Sequence, residues 1–291
     1  MKDSEKADAL KLARLMRCAR KQLGLTQVHV ANHLNIAQGT YSKIEKAKFV
    51  LSAPEWFLFC KLTNIDVNSF NNGFIDRAEE IQVSDIFQLG SFKIPGKYGK
   101  AAGTSVRELQ PYLQFYKGQF GDDQLEAALR DNFKIDPDYF INMGNRVNYL
   151  FLVELINFIA QKSGLGPETV KALGDYSSKE ETHGSLAVDY KNNNDFSVVE
   201  KLIANSSKYQ VNVFYKVENK TANSILISAI NSDLAVEEKH LKNTQVNDFL
   251  MAFKASYLEN FVRSHTGKNN VEVQIVKDEN SKHSFKIQSH S

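Results

Sequence analysis

His29 and His33 stand four residues apart, a spacing that sets two imidazoles on one helical face and can hold zinc. No third ligand lies near them in the sequence, so they read as surface histidines. Cys18 and Cys60 fall inside expected helices, form neither a metal-ligand pair nor a disulfide framework, and read as reduced core thiols. Glu180-Glu181-Thr182-His183 lacks the second histidine of a zinc-protease helix. No Gly-x-Ser-x-Gly turn occurs, and the glycines of Leu89–Lys100 lack the spacing of a phosphate-binding loop. We therefore expect no catalytic residue, no metal and no cofactor, and the chain does not read as an enzyme. The chemistry that remains is recognition through hydrogen bonds and charge. Gln38, Gly39, Ser42, Lys43 and Lys46 share the outward side of one short helix. That side is polar and basic, as a helix lying in a DNA major groove requires.

Such a face needs a scaffold, and the first 66 residues supply the pattern of one. Apolar residues recur at helical spacing from Glu5 to Leu23, and Gly24 stops that helix. Thr26 is a good cap for a short helix to Leu34, Asn35 tolerates a left-handed turn, and Ala37–Lys46 reads as the next helix. Val30, Ala31, Leu34, Ile36, Tyr41 and Ile44 form the inward set. Ser52-Ala53-Pro54 opens a fourth helix through Leu62, and a last short one is expected near Val67–Phe70.

Leu25-Thr26-Gln27, Ala31, the turn at Asn35, the polar run from Gln38 and the ending Glu45-Lys46-Ala47-Lys48 together resemble the XRE family of lambda-repressor-like helix-turn-helix domains, over Leu10–Asp66. The resemblance implies that Gln27 touches a phosphate and seats the second motif helix. It places Gln38, Gly39, Ser42 and Lys43 at base-facing positions and Lys46 and Lys48 on phosphates. It makes Arg20 and Glu45 a pair bridging the first and third helices. Four positions depart from the pattern. Ala37 stands where Ser or Thr usually caps, Asn35 and Ala47 stand where Gly is usual, and Gly39 offers no side chain to a base. The partner implied is double-stranded DNA, bound by a homodimer.

Beyond residue 70 the texture changes. Residues 71–103 read as a linker or extended loop, and residues 104–291 as a larger domain. Helices are expected at Ser105–Phe120, Asp123–Phe133, Arg146–Ser163 and Pro167–Leu173. After Gly184 the period shifts to two, with strands at Ser185–Tyr190, Gln210–Val217, Asn223–Ala229, Val271–Val276 and Ser284–Gln288, and helices at Phe196–Ala204 and Gln245–His265 between them. The fold class expected is thus an all-α helix-turn-helix domain (1–70) followed by an α+β domain with an antiparallel sheet. Tyr112, Phe115, Tyr116, Phe120, Phe133, Tyr139, Phe140, Tyr149 and Phe151 gather in its helical half, as an ordinary core or as the lining of an apolar ligand pocket. The order of elements resembles bacterial sensor domains related to the haem-nitric-oxide-binding and 4-vinyl-reductase groups. The cysteines of their metal-binding members are absent.

Charge and composition agree with two domains. Residues 1–66 carry 11 Lys/Arg against 6 Asp/Glu, while the rest carries 25 against 28. A small basic domain joined to a mildly acidic one suits a DNA reader with a regulatory module. No apolar run approaches the ~20 residues of a membrane span, the charged opening does not read as a signal peptide, and we expect a cytoplasmic protein. The expected function is a dimeric, sequence-specific DNA-binding transcription regulator with a C-terminal ligand-sensing or dimerisation domain. The alternatives are a protein-partner-binding module and a DNA reader fused to an unrecognised enzyme domain.

Overall fold

The computed structural model describes residues 3–65, 67, 73–76, 94–100, 102–164, 166–181, 195–206, 213–231, 244–277 and 283–289. Its helices are α1 (Asp3–Gln22), α2 (Gln27–His33), α3 (Gln38–Ile44), α4 (Ala53–Thr63), α5 (Gly96–Gly99), α6 (Val106–Phe120), α7 (Asp122–Asp131), α8 (Tyr149–Ser163), α9 (Pro167–Glu181), α10 (Ser197–Ser206) and α11 (Thr244–Thr266). Its main strands are β1 (Val213–Lys220), β2 (Ser224–Asn231), β3 (Val271–Lys277) and β4 (His283–Ser289). The chain forms two compact units. An N-terminal unit holds Met1–Pro95 and Glu126–Arg146, and a C-terminal unit holds Gly96–Leu125 and Val147–Ser291. The architecture is mixed α and β with an antiparallel sheet, as expected.

In the N-terminal unit, local chemistry sets the helix ends. The Thr26 hydroxyl accepts the His29 amide at 3.1 Å and starts α2. Asn35 turns the chain with φ 55° before α3, which Ala37 leaves without a side-chain cap. Ser52 and Glu55 close a capping box on α4, with the Ser52 amide donating to Glu55 at 2.7 Å. Val30, Ala31, Leu34, Tyr41 and Ile44 are buried together with Leu15, Met16, Ala19 and Phe59, and Ile36 packs against them half-buried. Replacing Ser52 by alanine is expected to lower the stability of this unit by about 1 kcal/mol, read as a shift in its urea midpoint. The helix expected near Val67–Phe70 lies mostly outside the described residues.

The expected division at 70 and 104 differs from the units found. Residues 126–146 fold with the N-terminal helices because Arg14 of α1 has no carboxylate partner nearby in sequence. It donates to Asp138 at 2.6 Å and to Glu126 at 2.7 Å instead. Ile75 and Ile141 join the same apolar core, with the Ile75 amide on the Ile141 carbonyl at 2.8 Å.

In the C-terminal unit the strand order is β1-β2-β4-β3, antiparallel throughout. Tyr215 pairs with Ala229, Ile227 with Phe285 and Val273 with Ile287. Alternate residues Ile225, Ile227 and Ala229 of β2, with Phe285 and Ile287 of β4, are buried with Val198, Val199 and Leu202 of α10 and Ala255, Leu258, Phe261 and Val262 of α11. The β1–β2 turn sits at Thr221–Asn223, where the Thr221 hydroxyl accepts the Ser224 amide at 3.0 Å. Helix α9 runs to Glu181 rather than Leu173. Part of the expected linker is ordered too: Tyr98 in α5 is fully buried, edge-on to Phe151 with ring centroids 5.2 Å apart. The expected strand Ser185–Tyr190 lies outside the described residues. No described helix is long and apolar enough to cross a membrane.

Candidate functional site

The residues singled out from the sequence meet on the N-terminal unit. Arg20 forks onto Glu45 at 2.6 and 3.0 Å and also donates to the Leu25 carbonyl at 2.8 Å. Gln27 donates to Glu45 Oε2, the oxygen that Arg20 Nη2 also reaches, at 2.8 Å, and Gln38 donates to Gln27 at 2.9 Å. The hydrogen bonds to Glu45 hold the Arg20 guanidinium above its ordinary pKa. Burial, followed by the Glu45 charge, pushes the Tyr41 phenol up. Gln38, Gly39, Lys43, Lys46 and Lys48 are exposed and Ser42 is half-buried. The Arg20–Glu45 bridge is therefore formed, while the Gln27 amide is occupied by Glu45 and Gln38. His29 and His33 are exposed, and burial raises the Cys18 thiol well above its usual range. Among the described residues no group of three or more His, Cys, Asp or Glu could hold a metal ion.

A second constellation, built from distant parts of the chain, lies inside the C-terminal unit. Glu108 and Tyr112 are four residues apart on α6 and share a face. Tyr149 opens α8, Tyr215 lies in β1, and Lys254 sits midway along α11. The Lys254 ammonium stands 5.1 Å from the centre of the Tyr215 ring, a cation–π distance. Desolvation pulls the Lys254 pKa down, but attraction to Tyr215, Glu108 and Tyr149 outweighs it and leaves the group above its ordinary value. Burial drives the Tyr112 phenol well above its own ordinary value, reinforced by Glu108, Tyr149 and Tyr215. The Tyr112 ring also leans on Phe253, with centroids 5.0 Å apart.

These states decide what the cluster can do. Lys254 remains a protonated ammonium, so it is neither a nucleophile nor a Schiff-base amine. It can donate up to three hydrogen bonds. The Tyr112 phenol stays protonated and can donate or accept. The arrangement suits non-covalent capture of an acceptor oxygen beside an aromatic wall. Tyr112 and Tyr149 stood out in the sequence by aromatic clustering. Glu108, Tyr215 and Lys254 carried no local spacing signal, because the fold brings them together across some 150 residues.

The phenols also set an alkaline limit. Tyr98, buried and donating to the Glu154 carboxylate, has its pKa raised to about 12, by burial first and that hydrogen bond second. A raised phenol pKa means the folded state holds its proton more tightly than the unfolded chain. The stabilisation is complete below the unfolded value near 10 and is lost as pH climbs from there to about 12. Thermal midpoints are expected to be flat up to pH 9 and to fall above pH 10, with a smaller fall in Tyr98→Phe.

No protein-family model matches the chain, and no curated protein matches it. Solved structures do show a likeness. A structure from a study of haem redox potential and protein-induced porphyrin distortion matches with TM-score 0.44 and 11% identity, covering 64% of this chain and 99% of that one. A doubly substituted Tt H-NOX matches with TM-score 0.45 and 10% identity over 65% and 96%. The Fe(II) unliganded H-NOX protein from K. algicida matches with TM-score 0.42 and 13% identity over 65% and 97%. These neighbours correct the expectation of a dimeric, DNA-binding transcription regulator: over about two thirds of the chain the likeness is to H-NOX proteins, not to a DNA reader. At this distance the likeness transfers no ligand or cofactor to this chain.

The ligand chemistry of the C-terminal unit is derived from the Lys254 cluster alone.

Proposed function

We propose that the C-terminal unit is a ligand-sensing domain that holds a small molecule at Lys254, with Glu108, Tyr112, Tyr149 and Tyr215 around it. The observation that carries this reading is the half-buried, protonated ammonium set over the Tyr215 ring where α6, α8, α11 and β1 meet. Desolvating a charge is costly unless partners compensate it, and three phenols with one carboxylate form a polar setting that an ordinary apolar core would not need. The ligand that fits is neutral or zwitterionic, because Glu108 already balances Lys254. It would place an acceptor oxygen near Lys254 and an apolar body along Tyr112 and Phe253. A saturation-transfer NMR screen of small aromatic alcohols, amides and amino acids against the intact protein tests the reading. Binders that are lost in Lys254→Met support it. An absence of binders, or binding untouched by Lys254→Met, counts against it.

For the N-terminal unit we propose kinship with the XRE-type helix-turn-helix fold. The support is the Arg20–Glu45 bridge, the Thr26 cap and the left-handed Asn35 turn. This kinship is one of fold and carries no operator with it.

A further inference from the structure

We infer that α9 and α11 move as one body, so that α11 relays the state of the Lys254 site to α9; the inference rests on the ligand-sensing reading above. Lys254 and Ser256 are two residues apart on α11. A Cβ added to Gly174 of α9 would lie 2.2 Å from the Ser256 hydroxyl oxygen, 2.7 Å from its Cβ and 3.0 Å from its backbone carbon. At this crossing the two helices meet with no side chain of Gly174 between them. One turn further along α11, Asn260 donates to Asp175 at 2.7 Å, and Asp175 adjoins Gly174. Leu173, on the other side of Gly174, is fully buried. At Gly174 itself no side chain could change rotamer to absorb a slide. Packed interiors pass such a shift on rather than damping it. A displacement of α11 caused at Lys254 is therefore delivered to α9.

Hydrogen exchange read by mass spectrometry on the intact protein tests this. Lys254→Met, and Lys254→Arg should the first fail to fold, disturbs the site without touching the crossing. The expected result is a change in amide protection of about threefold or more in 167–181 as well as in α11, larger than in α10, and reduced when Asn260→Ala is added. A change confined to α11 and α6, or one spread evenly over the whole unit, overturns the coupling. If the fragment screen finds no binder while the α9 response is present, the sensing reading fails and the mechanical coupling stands. If binders are found but α9 stays silent, the coupling alone fails.

Discussion

Arg20→Ala is expected to destabilise the N-terminal unit by about 3 kcal/mol or more, the range for breaking a buried ion pair from one side. The Glu45 side chain is only 4% exposed and the Arg20 side chain 12%. Their attraction is thus felt in a medium of low dielectric, and water cannot replace the guanidinium once it is gone. Gln27 would be left as the hydrogen-bond donor to Glu45, and one amide cannot neutralise a carboxylate. The Leu25 carbonyl loses its donor as well. Arg20→Lys keeps the charge but not the two-pronged geometry and should lie between the wild type and Arg20→Ala. The double replacement Arg20→Leu with Glu45→Leu should recover much of the loss, because it strands no charge. Trp56 is the chain's single tryptophan and packs against this core. Its fluorescence during urea unfolding reads the effect directly, and an unchanged midpoint in Arg20→Ala would contradict the assignment.

Gly174→Ala is expected to cost the C-terminal unit about 1–3 kcal/mol, at the upper end of that overpacking range. On an exposed helix the same change would stabilise, since alanine is the better helix former by about 1 kcal/mol. The sign is reversed here because the new methyl overlaps Ser256, including backbone that cannot rotate away. Ser256→Gly should relieve part of the loss, which separates a steric cause from a general one. Far-UV circular dichroism through the thermal transition is the readout. A stabilised Gly174→Ala would mean that α9 and α11 do not meet as described.

These two residues show where a sequence is readable. Local chemistry was legible: Thr26 and Ser52–Glu55 start helices, Asn35 turns the chain, and the alternation in 224–231 and 283–289 marks strands with one buried side. Features set by distant partners were not. Gly174 and the following Ser177-Ser178 look like the end of a helix, yet α9 continues because Gly174 meets α11, while the Ser178 hydroxyl bonds back to the Asp175 carbonyl at 3.0 Å. Gly96 and Gly99 look like a linker, yet Tyr98 between them finds a buried place against Phe151. Arg14 reads as a solvated charge until Glu126 and Asp138 arrive from more than 100 residues away. The candidate site is the extreme case. Only its two tyrosines Tyr112 and Tyr149 drew notice in the sequence, and Lys254 reads as one of many helix-surface lysines. The polar face of α3 was legible in full, but a legible face is not a function.

The account depends most on Lys254 being charged, half-buried and placed over Tyr215. Carbon-13 labelling of the lysine ε positions in the intact protein, with Lys254→Arg to assign the resonance, measures all three at once. The predicted result is a proton shift displaced upfield by the Tyr215 ring, no titration up to pH 10, and movement of this one resonance when a fragment binds. A Lys254 resonance at the position of a free lysine, titrating in the ordinary range and indifferent to every fragment, would contradict the sensing site.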